Sequence, residues 1–522
     1  MADRERQDHR PRPGDDHRRA RHGRPAGHRR GGGRRDRRGS QMREVRAVGA
    51  RRRHRTHGAG RVPARRRNRV SDGIRALIAE AARQAADCEV WTAHRETEEV
   101  VCRGGAVERR SDVESGVTAV TVWRDGGEGY AVRALPDSDD PSLVRSALEV
   151  ARALPGRLPP PPAADPPAPP GTARAATSPA LDDRTSPARD EKTSPALDEK
   201  TVHAVRELST AAPGLDIELR VKAERSTVRL GRPGHEPRGY RTGLVQLQAR
   251  VTASASGTGF VAHQMYGSAA EDVLARAADV DLPEICALAA VLAGPPADVW
   301  EHDDVLLTGW VAVKLLSLVL PAFQWDTAVE GRSPLAGRWG ESVCADGVDL
   351  VDDPTSAEYP LAAPWDDEGT PTKAVELVRD GRLRAFLGHR HSTRSAGAGR
   401  AGSGWRGAAG EMPRVQPSHL SLRVGRALGD VPRPGRRLLR VVQANGVHTS
   451  NGITGDFSIG ANALLEDPDG TRHNAGNITV AGNVFDLLRQ IEGHNGTVRT
   501  NRSHTSFVAC PGLWVRGLTV GR

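Results

Sequence analysis

The sequence predicts an α+β protein, with an N-terminal mixed α/β domain built on an antiparallel sheet and a C-terminal, mostly β domain, a sandwich or distorted barrel. Three observations predict it. Between residues 71 and 153 the apolar pattern runs helix, strands, helix. Between 216 and 253 two stretches alternate apolar and polar residues before helical spacing returns. After Trp300 one apolar helix is followed to the end by short strands separated by Gly, Asp, Asn and Pro.

The elements follow in order. Residues 1–69 carry arginine runs such as Arg34-Arg35-Asp36-Arg37-Arg38, with no apolar period and no aromatic residue. Such a segment cannot offset its ordering entropy by burial, so it is expected to be a disordered basic extension. Residues 1–70 hold 25 Arg and 7 acids, a charge of +18, against −8 for the remaining 452 residues. Dense arginine suits phosphate, but without stacking aromatics or a recognition fold nucleic-acid binding is the weaker reading. The chain uses 70 Arg and 5 Lys, a GC-rich coding bias, so translation upstream of a start at Val70 would also produce this segment.

A first domain part spans 70–154. Ser71 and Asp72 are placed to cap a helix carrying Ile74, Leu77, Ile78 and Ala81. Cys88–Trp91, Glu99–Cys102 and Val117–Trp123 read as strands, the last closed by the Asp125-Gly126 turn and continued by Tyr130–Arg133. Pro141-Ser142 opens a helix through Leu143, Ala147, Leu148 and Ala151. Residues 155–201 interrupt the domain with proline runs and an eight-residue unit repeated from Thr177, Thr185 and Thr193, read as a flexible insert.

Structure resumes over 202–299, with strands Asp216–Arg229 and Gly243–Ala253 and helices Glu271–Ala278 and Leu282–Gly294. The C-terminal domain, 300–522, opens with the helix Thr308–Leu320. Five scattered cysteines without a C-x-x-C pair argue against a disulfide framework or a zinc ribbon, and imply a reducing, cytoplasmic setting. No stretch approaches the ~18 apolar residues of a membrane span.

Few motifs carry chemistry. No H-E-x-x-H, G-x-S-x-G or Walker sequence is present. His235-Glu236-Pro237-Arg238-Gly239-Tyr240 contains Pro and Gly and reads as a turn. His389 and His391 alternate as on one strand face and could ligate a metal, but without an acidic or Cys partner close by they read as a solvent-facing pair. Cys510 reads as a buried, inert thiol, and Gly402-x-Gly404 follows no strand–helix boundary. In Thr454-Gly455-Asp456-Phe457-Ser458-Ile459-Gly460-Ala461-Asn462, the glycines permit tight backbone passages, and Asp456 and Ser458 can bond local amides. Asn483 after Gly482 can cap the helix that follows.

That run and Ile478-Thr479-Val480-Ala481-Gly482-Asn483-Val484 resemble the T-G-D-[FY]-S-R-G-A-x-G-F and [EV]-I-T-I-A-G-N-L segments of the TldD/PmbA family, on the PmbA (TldE) side. Pro364-Trp365-Asp366-Asp367-Glu368-Gly369-Thr370-Pro371-Thr372 is similar to its P-F-D-D-E-G-x-P-T, and Ile459 stands where the family usually has Arg. The resemblance makes Asp366, Asp367, Gly369, Thr454, Gly455, Asp456, Ser458, Gly460, Gly482 and Asn483 signature residues of structural role. It implies a dimeric, metallopeptidase-related protein. TldD-type members hold zinc with H-E-x-x-x-H on a C-terminal helix and a later Cys. The corresponding helix here is Thr308–Leu320, with neither His nor Glu, and the Cys position falls near Val498–Asn501, without Cys. The resemblance therefore implies a subunit with no catalytic or metal residue and no cofactor of its own, acting on peptides beside a TldD-like zinc-bearing partner, or as a homodimer. The alternatives are an independent metallopeptidase using His389, His391 and Asp366 or Asp367, and a basic-tailed nucleic-acid binder.

Overall fold

The computed structural model describes residues 52–53, 65–84, 86–134, 140–153, 197–297, 301–357, 359–390, 392, 401–503 and 506–521. The N-terminal part runs β1 (Arg52–Arg53), α1 (Arg65–Arg83), β2 (Asp87–Arg103), β3 (Ala106–Arg124), β4 (Gly127–Ala134), α2 (Ser142–Ala153), α3 (Glu199–Leu208), β5 (Asp216–Gly231), β6 (Arg238–Ser254), β7 (Thr258–Gly267), α4 (Ala270–Arg276), a π-helical turn (Ala277–Asp281) and α5 (Leu282–Leu292). Its strands form one antiparallel sheet in which β4, β3, β2, β5, β6 and β7 lie side by side, β1 pairing with β3.

A helix, three strands and a closing helix thus occur twice, and β2 and β5 join the two sets at the middle. Each set ends in the same kind of contact. A Cβ on Gly129 of β4 would stand 1.8 Å from the Ala147 carbonyl of α2, and one on Gly259 of β7 would stand 2.0 Å from the Ala289 carbonyl of α5. Only glycine lets each closing helix lie directly on its edge strand. Ile74, Leu77, Val120, Val122, Val144 and Ala147 fill one apolar cluster, and Leu219, Val221, Leu247, Val261, Ile285 and Leu288 another. Burying these side chains is the main driving force for both layers.

Two expectations for this part are corrected. Helix α1 reaches back to Arg65, so Ser71 lies inside it rather than at its cap. The strands expected at Cys88–Trp91 and Glu99–Cys102 are the two ends of one 17-residue strand, β2. Its middle reads as polar because it is paired on both sides, with β3 and β5, and its charges are met across the ladder. Arg225 pairs there with Glu98 at 2.8 Å and Arg95 with Glu224 at 3.1 Å. The Asp125-Gly126 turn does form, with φ of 52° and 77° as a type I′ turn demands. Of the insert expected over 155–201, residues 197–201 are described and lead into α3, which begins at Glu199, while 155–196 and the chain before Arg65, other than β1, lie outside the described residues.

The C-terminal part runs β8 (Asp304–Leu307), α6 (Gly309–Leu316), a 3₁₀ stretch (Ser317–Phe323), α7 (Trp325–Val329), β9 (Val348–Asp352), β10 (Val375–Arg379), β11 (Arg382–Leu383), β12 (Gly404–Trp405), β13 (Arg414–Val415), β14 (His419–Val424), β15 (Leu438–Asn445), β16 (Asp456–Glu466), β17 (Arg472–Asn483), α8 (Val484–Arg489), β18 (Ile491–Ser503), β19 (Ser506–Val515) and β20 (Thr519–Gly521). Hydrogen bonds join eleven of these strands into a single mixed sheet, parallel at β14/β19 and β8/β15, while β12 and β13 form a separate ribbon. The expected helix over 308–320 ends as α-helix at Leu316; Pro321 sits in the 3₁₀ turn that follows, where an α-helical bond could not form. Among the described residues no helix is long and apolar enough to cross a membrane.

Candidate functional site

Two polar regions, one of them buried, join the sheets. The first is built on the turn Pro364–Thr372. Asp366 accepts the amides of Glu368 (3.1 Å) and Thr370 (2.8 Å) on one oxygen and that of Gly404 (2.9 Å) on the other. Asp367 accepts the Trp91 indole N–H of β2 at 2.9 Å and the Arg406 amide at 2.7 Å. Beside them Glu89, 3% exposed, pairs with Arg232 at 2.8 Å and Arg390 at 3.0 Å, with Arg406 at 3.8 Å. Burial pushes Glu89 up, but the three guanidiniums outweigh it and hold its carboxyl below the usual range. Burial pushes Asp366 well above its ordinary value, the Glu368 charge adding to it, and burial raises Asp367 as well. Gly369 completes the turn at φ 76°, where a Cβ would stand 2.5 Å from both Arg238 and Leu230. These carboxylates are committed to backbone amides and an indole, an arrangement that fixes the turn on β2 and leaves little for proton transfer.

His389 adjoins this turn but not as expected. It lies in a loop rather than on a strand and is 8% exposed, its Nδ1 bonded to the Ser392 hydroxyl and 3.9 Å from Asp326. The apolar face of Phe386 and Leu387 draws this segment into the core, which is why the histidine is not solvent-facing. His391 lies outside the described residues. Among the described residues no three His, Cys, Asp or Glu side chains are gathered as a metal site. Cys510 lies inside β19, fully buried, and burial raises its thiol.

The signature hairpin forms a third, exposed corner. Asp456 pairs in register with Asn483, Phe457 with Gly482, Ser458 with Ala481 and Gly460 with Thr479. Asn483 caps α8 by accepting the Phe485 amide at 2.9 Å, and donates to Asp456 and to the Thr454 carbonyl, both at 2.8 Å. Thr454 also donates to Asp456 at 2.7 Å, and the Asn483 and Thr454 bonds hold its carboxyl below the usual range. Gly455, at φ 85°, leaves room for Phe485, whose ring would be 2.5 Å from a Cβ there. Alternation along β16 leaves Ser458 exposed and turns Ile459 into the core, where it is 2% exposed.

The second region is a partly open pocket of about 590 Å³ between β5, β6 and β7 on one side and α6, β15 and β18 on the other, with His263, Trp310 and Gln443 buried at its floor and Asp216, Phe260 and Asn445 exposed. Helix α6 and the 498–501 stretch of β18 are neighbours here. A Cβ on Gly309 would stand 2.7 Å from Arg499, so only glycine lets the helix start so close to the strand. The Arg499 guanidinium lies 4.6 Å from the Trp310 ring centroid and pairs with Asp281 and Glu284. Against Trp310 stacks His263 of β7, centroids 4.3 Å apart and planes 6° from parallel. Burial, with Lys314 and Arg499 nearby, keeps His263 well below its ordinary value, so it is neutral. Lys314 donates to the Ala444 carbonyl at 3.2 Å, and burial lowers its ammonium.

Helix α6 and this part of β18 are where the resemblance puts the family's zinc ligands. Zinc requires lone-pair donors, whereas Trp310 and Arg499 present only N–H groups, Val311 is hydrocarbon and Lys314 is a cation. The residues present at these positions do not fit the metal. No sequence signal marks His263, Gln264, Gln443 or Arg499, because three separate strands, β7, β15 and β18, deliver them to one place.

Residues 301–522 match the family model of the PmbA/TldA metallopeptidase C-terminal domain. The chain is 28% identical over 176 residues to a metalloprotease of Methanothermobacter thermautotrophicus, covering 33% of this chain and 38% of that one. It is 27% identical over 126 residues to a metalloprotease TldD homolog of Haemophilus influenzae, covering 24% and 26%. These matches span less than half the length of the curated relatives. The fold superposes on TldE from Thermococcus kodakarensis with a TM-score of 0.70 at 17% identity, covering 86% of this chain and 100% of that one. With its signature segments in agreement, residues 301–522 carry a C-terminal domain of the PmbA/TldD metallopeptidase type, on a chain with the fold of TldE.

Proposed function

We propose that this chain is a PmbA/TldE-like subunit of a TldD/PmbA-type zinc metalloprotease, working in cytoplasmic peptide proteolysis or peptide maturation. It supplies fold, dimer surface and peptide-channel wall to a zinc-bearing TldD-like partner and holds no zinc itself. The observation that carries the reading is the cavity wall. Trp310 and Lys314 on α6 and Arg499 on β18 occupy the place where the family's ligands are expected; none of them offers zinc a lone pair, and Arg499 is already paired with Asp281 and Glu284. An extended peptide would add to a strand edge by main-chain hydrogen bonds.

The test is elemental analysis of the full chain purified without chelators, alone and after co-expression with a TldD-type protein. The expected result is zinc well below one per chain alone, and zinc with peptide hydrolysis in the co-purified pair. One tightly held zinc per isolated chain, or hydrolysis by the chain alone, would overturn it.

A further inference from the structure

The cavity wall has an unbalanced charge. Two of its arginines are already paired, Arg103 Nε with Asp216 at 2.7 Å and Arg250 with Glu218 at 3.0 Å. Lys314 makes no ion pair among the described residues, and one of its three N–H donors is used, on the Ala444 carbonyl. It is one of five lysines in a chain with seventy arginines. Its flexible, single-point cation suits one anionic oxygen rather than a fork-shaped partner. Next to it His263 is 3% exposed with an Nε2 that finds no partner.

Most of the remaining polar lining is amide, with hydroxyls from Thr252 and Thr500. Gln248 and Asn501 each present a carbonyl oxygen and an NH₂, the same pair of groups that a peptide backbone offers in reverse, while Gln264 accepts the Tyr266 hydroxyl and keeps its NH₂, and Gln443 is held between the Ala262 amide and Asn445. Phe260, 42% exposed, and Trp310 add an apolar surface. The volume, about 590 Å³, is that of a small-molecule or short-peptide pocket. One unpaired cation matches a monoanion; a phosphate dianion would want a second, and the two arginines are engaged elsewhere.

We propose that the cavity binds the carboxylate end of a short peptide, with Lys314 taking the carboxylate, the side-chain amides taking the backbone, and Trp310 and Phe260 flanking the last side chain. The ligand class rests on the reading of the chain as a peptide-handling subunit. The site does not depend on a zinc-bearing partner.

The test is calorimetric titration of the full chain with the tripeptide Ala-Ala-Phe as free acid, as C-terminal amide, and against inorganic phosphate. The free acid is expected to bind at least about tenfold more tightly than the amide, the discrimination of a charge-assisted hydrogen bond. Lys314→Met should bring the acid down to the level of the amide, and Lys314→Arg should restore part of the difference. Asn501→Leu, which leaves the cation in place, should weaken acid and amide by the same factor and keeps the proposal testable if Lys314→Met does not fold. Equal binding of acid and amide, no binding of the acid, displacement by phosphate as strong as by the acid, or an unchanged preference in folded Lys314→Met would each overturn the site. Failure to capture a zinc-bearing partner would sink the proposed function and leave this acid-to-amide ratio untouched.

Discussion

Around the Pro364–Thr372 turn both oxygens of Asp366 and of Asp367 accept hydrogen bonds, and Glu89 sits among Arg232, Arg390 and Arg406. Around Trp310 the buried His263 keeps an unbonded Nε2 and the half-buried Lys314 has no counter-ion among the described residues. Both regions join the N-terminal sheet to the C-terminal part through charged groups. The difference lies in the charges: around the turn each of these carboxylates is engaged, although Arg406 Nε and Trp405 Nε1 find no partner, whereas beside the pocket Lys314 has no counter-ion, in each case among the described residues. Matched buried charges specify one arrangement of the backbone, whereas an unmatched one bordering a pocket leaves its strongest interaction for something that enters.

The comparison breaks most directly at Glu89. Replacing it with Ala leaves three guanidiniums crowded without their carboxylate, and removing one partner of a buried ion pair costs about 3–5 kcal/mol. Denaturant unfolding should show a loss of that size; a loss under about 1 kcal/mol would mean the knot is not a closed unit. On the cavity side, Gly309→Ala puts a methyl 2.7 Å from the Arg499 side chain. Overpacking of that kind costs about 1–3 kcal/mol. The same melts should report it, and an unchanged midpoint would mean that α6 does not rest on β18 as closely as described.

Acidity separates the two regions by sign. His263 is held below its ordinary value, so beneath about pH 6.5 the unfolded chain binds the proton more readily and stability falls as pH falls. Asp366 is held above its ordinary value, so the folded chain keeps the proton longer and stability rises as pH falls toward about 4. His263→Phe, which keeps the stack on Trp310, should remove a slope of at most about 1.4 kcal/mol per pH unit below 6.5. If unfolding free energies of the two proteins run parallel between pH 6.5 and 5, His263 is not titrating from a buried neutral state. The smallest effect belongs to the exposed corner, where Asn483→Ala removes the cap of α8 at about 1 kcal/mol. Loss of stability beyond about 2 kcal/mol would show that the signature hairpin bears more of the fold than its exposure suggests.

Much of the fold could be read from the chain because apolar spacing and turn residues agree locally. The helix at Gly309–Leu316, the strands at Asp216 and Gly243 and the Asp125-Gly126 turn all rest on such agreement. Where burial and period separate, the reading fails. The polar middle of β2 has no alternation because its neighbours on both sides satisfy it, and His389 lies in a loop drawn into the core although its spacing suits a strand. The duplication of helix, three strands and helix leaves no mark in the sequence because only geometry, such as Gly129 and Gly259 under their helices, repeats. The signature residues were legible through the family's motifs. The cavity was not, since no spacing in sequence links His263, Trp310, Gln443 and Arg499.

The π-helical turn Ala277–Asp281 makes α4 and α5 one continuous run with a local surplus of chain, and it ends at the acid that meets Arg499. Each residue of a helix accounts for about 100° of rotation. Losing a single residue from this turn would spin α5 by that angle, carrying Leu288 and Ala289 off the sheet and Asp281 away from Arg499. The reading frame of the helix, counted residue by residue from Ala270, is therefore tied to a side chain more than two hundred positions downstream.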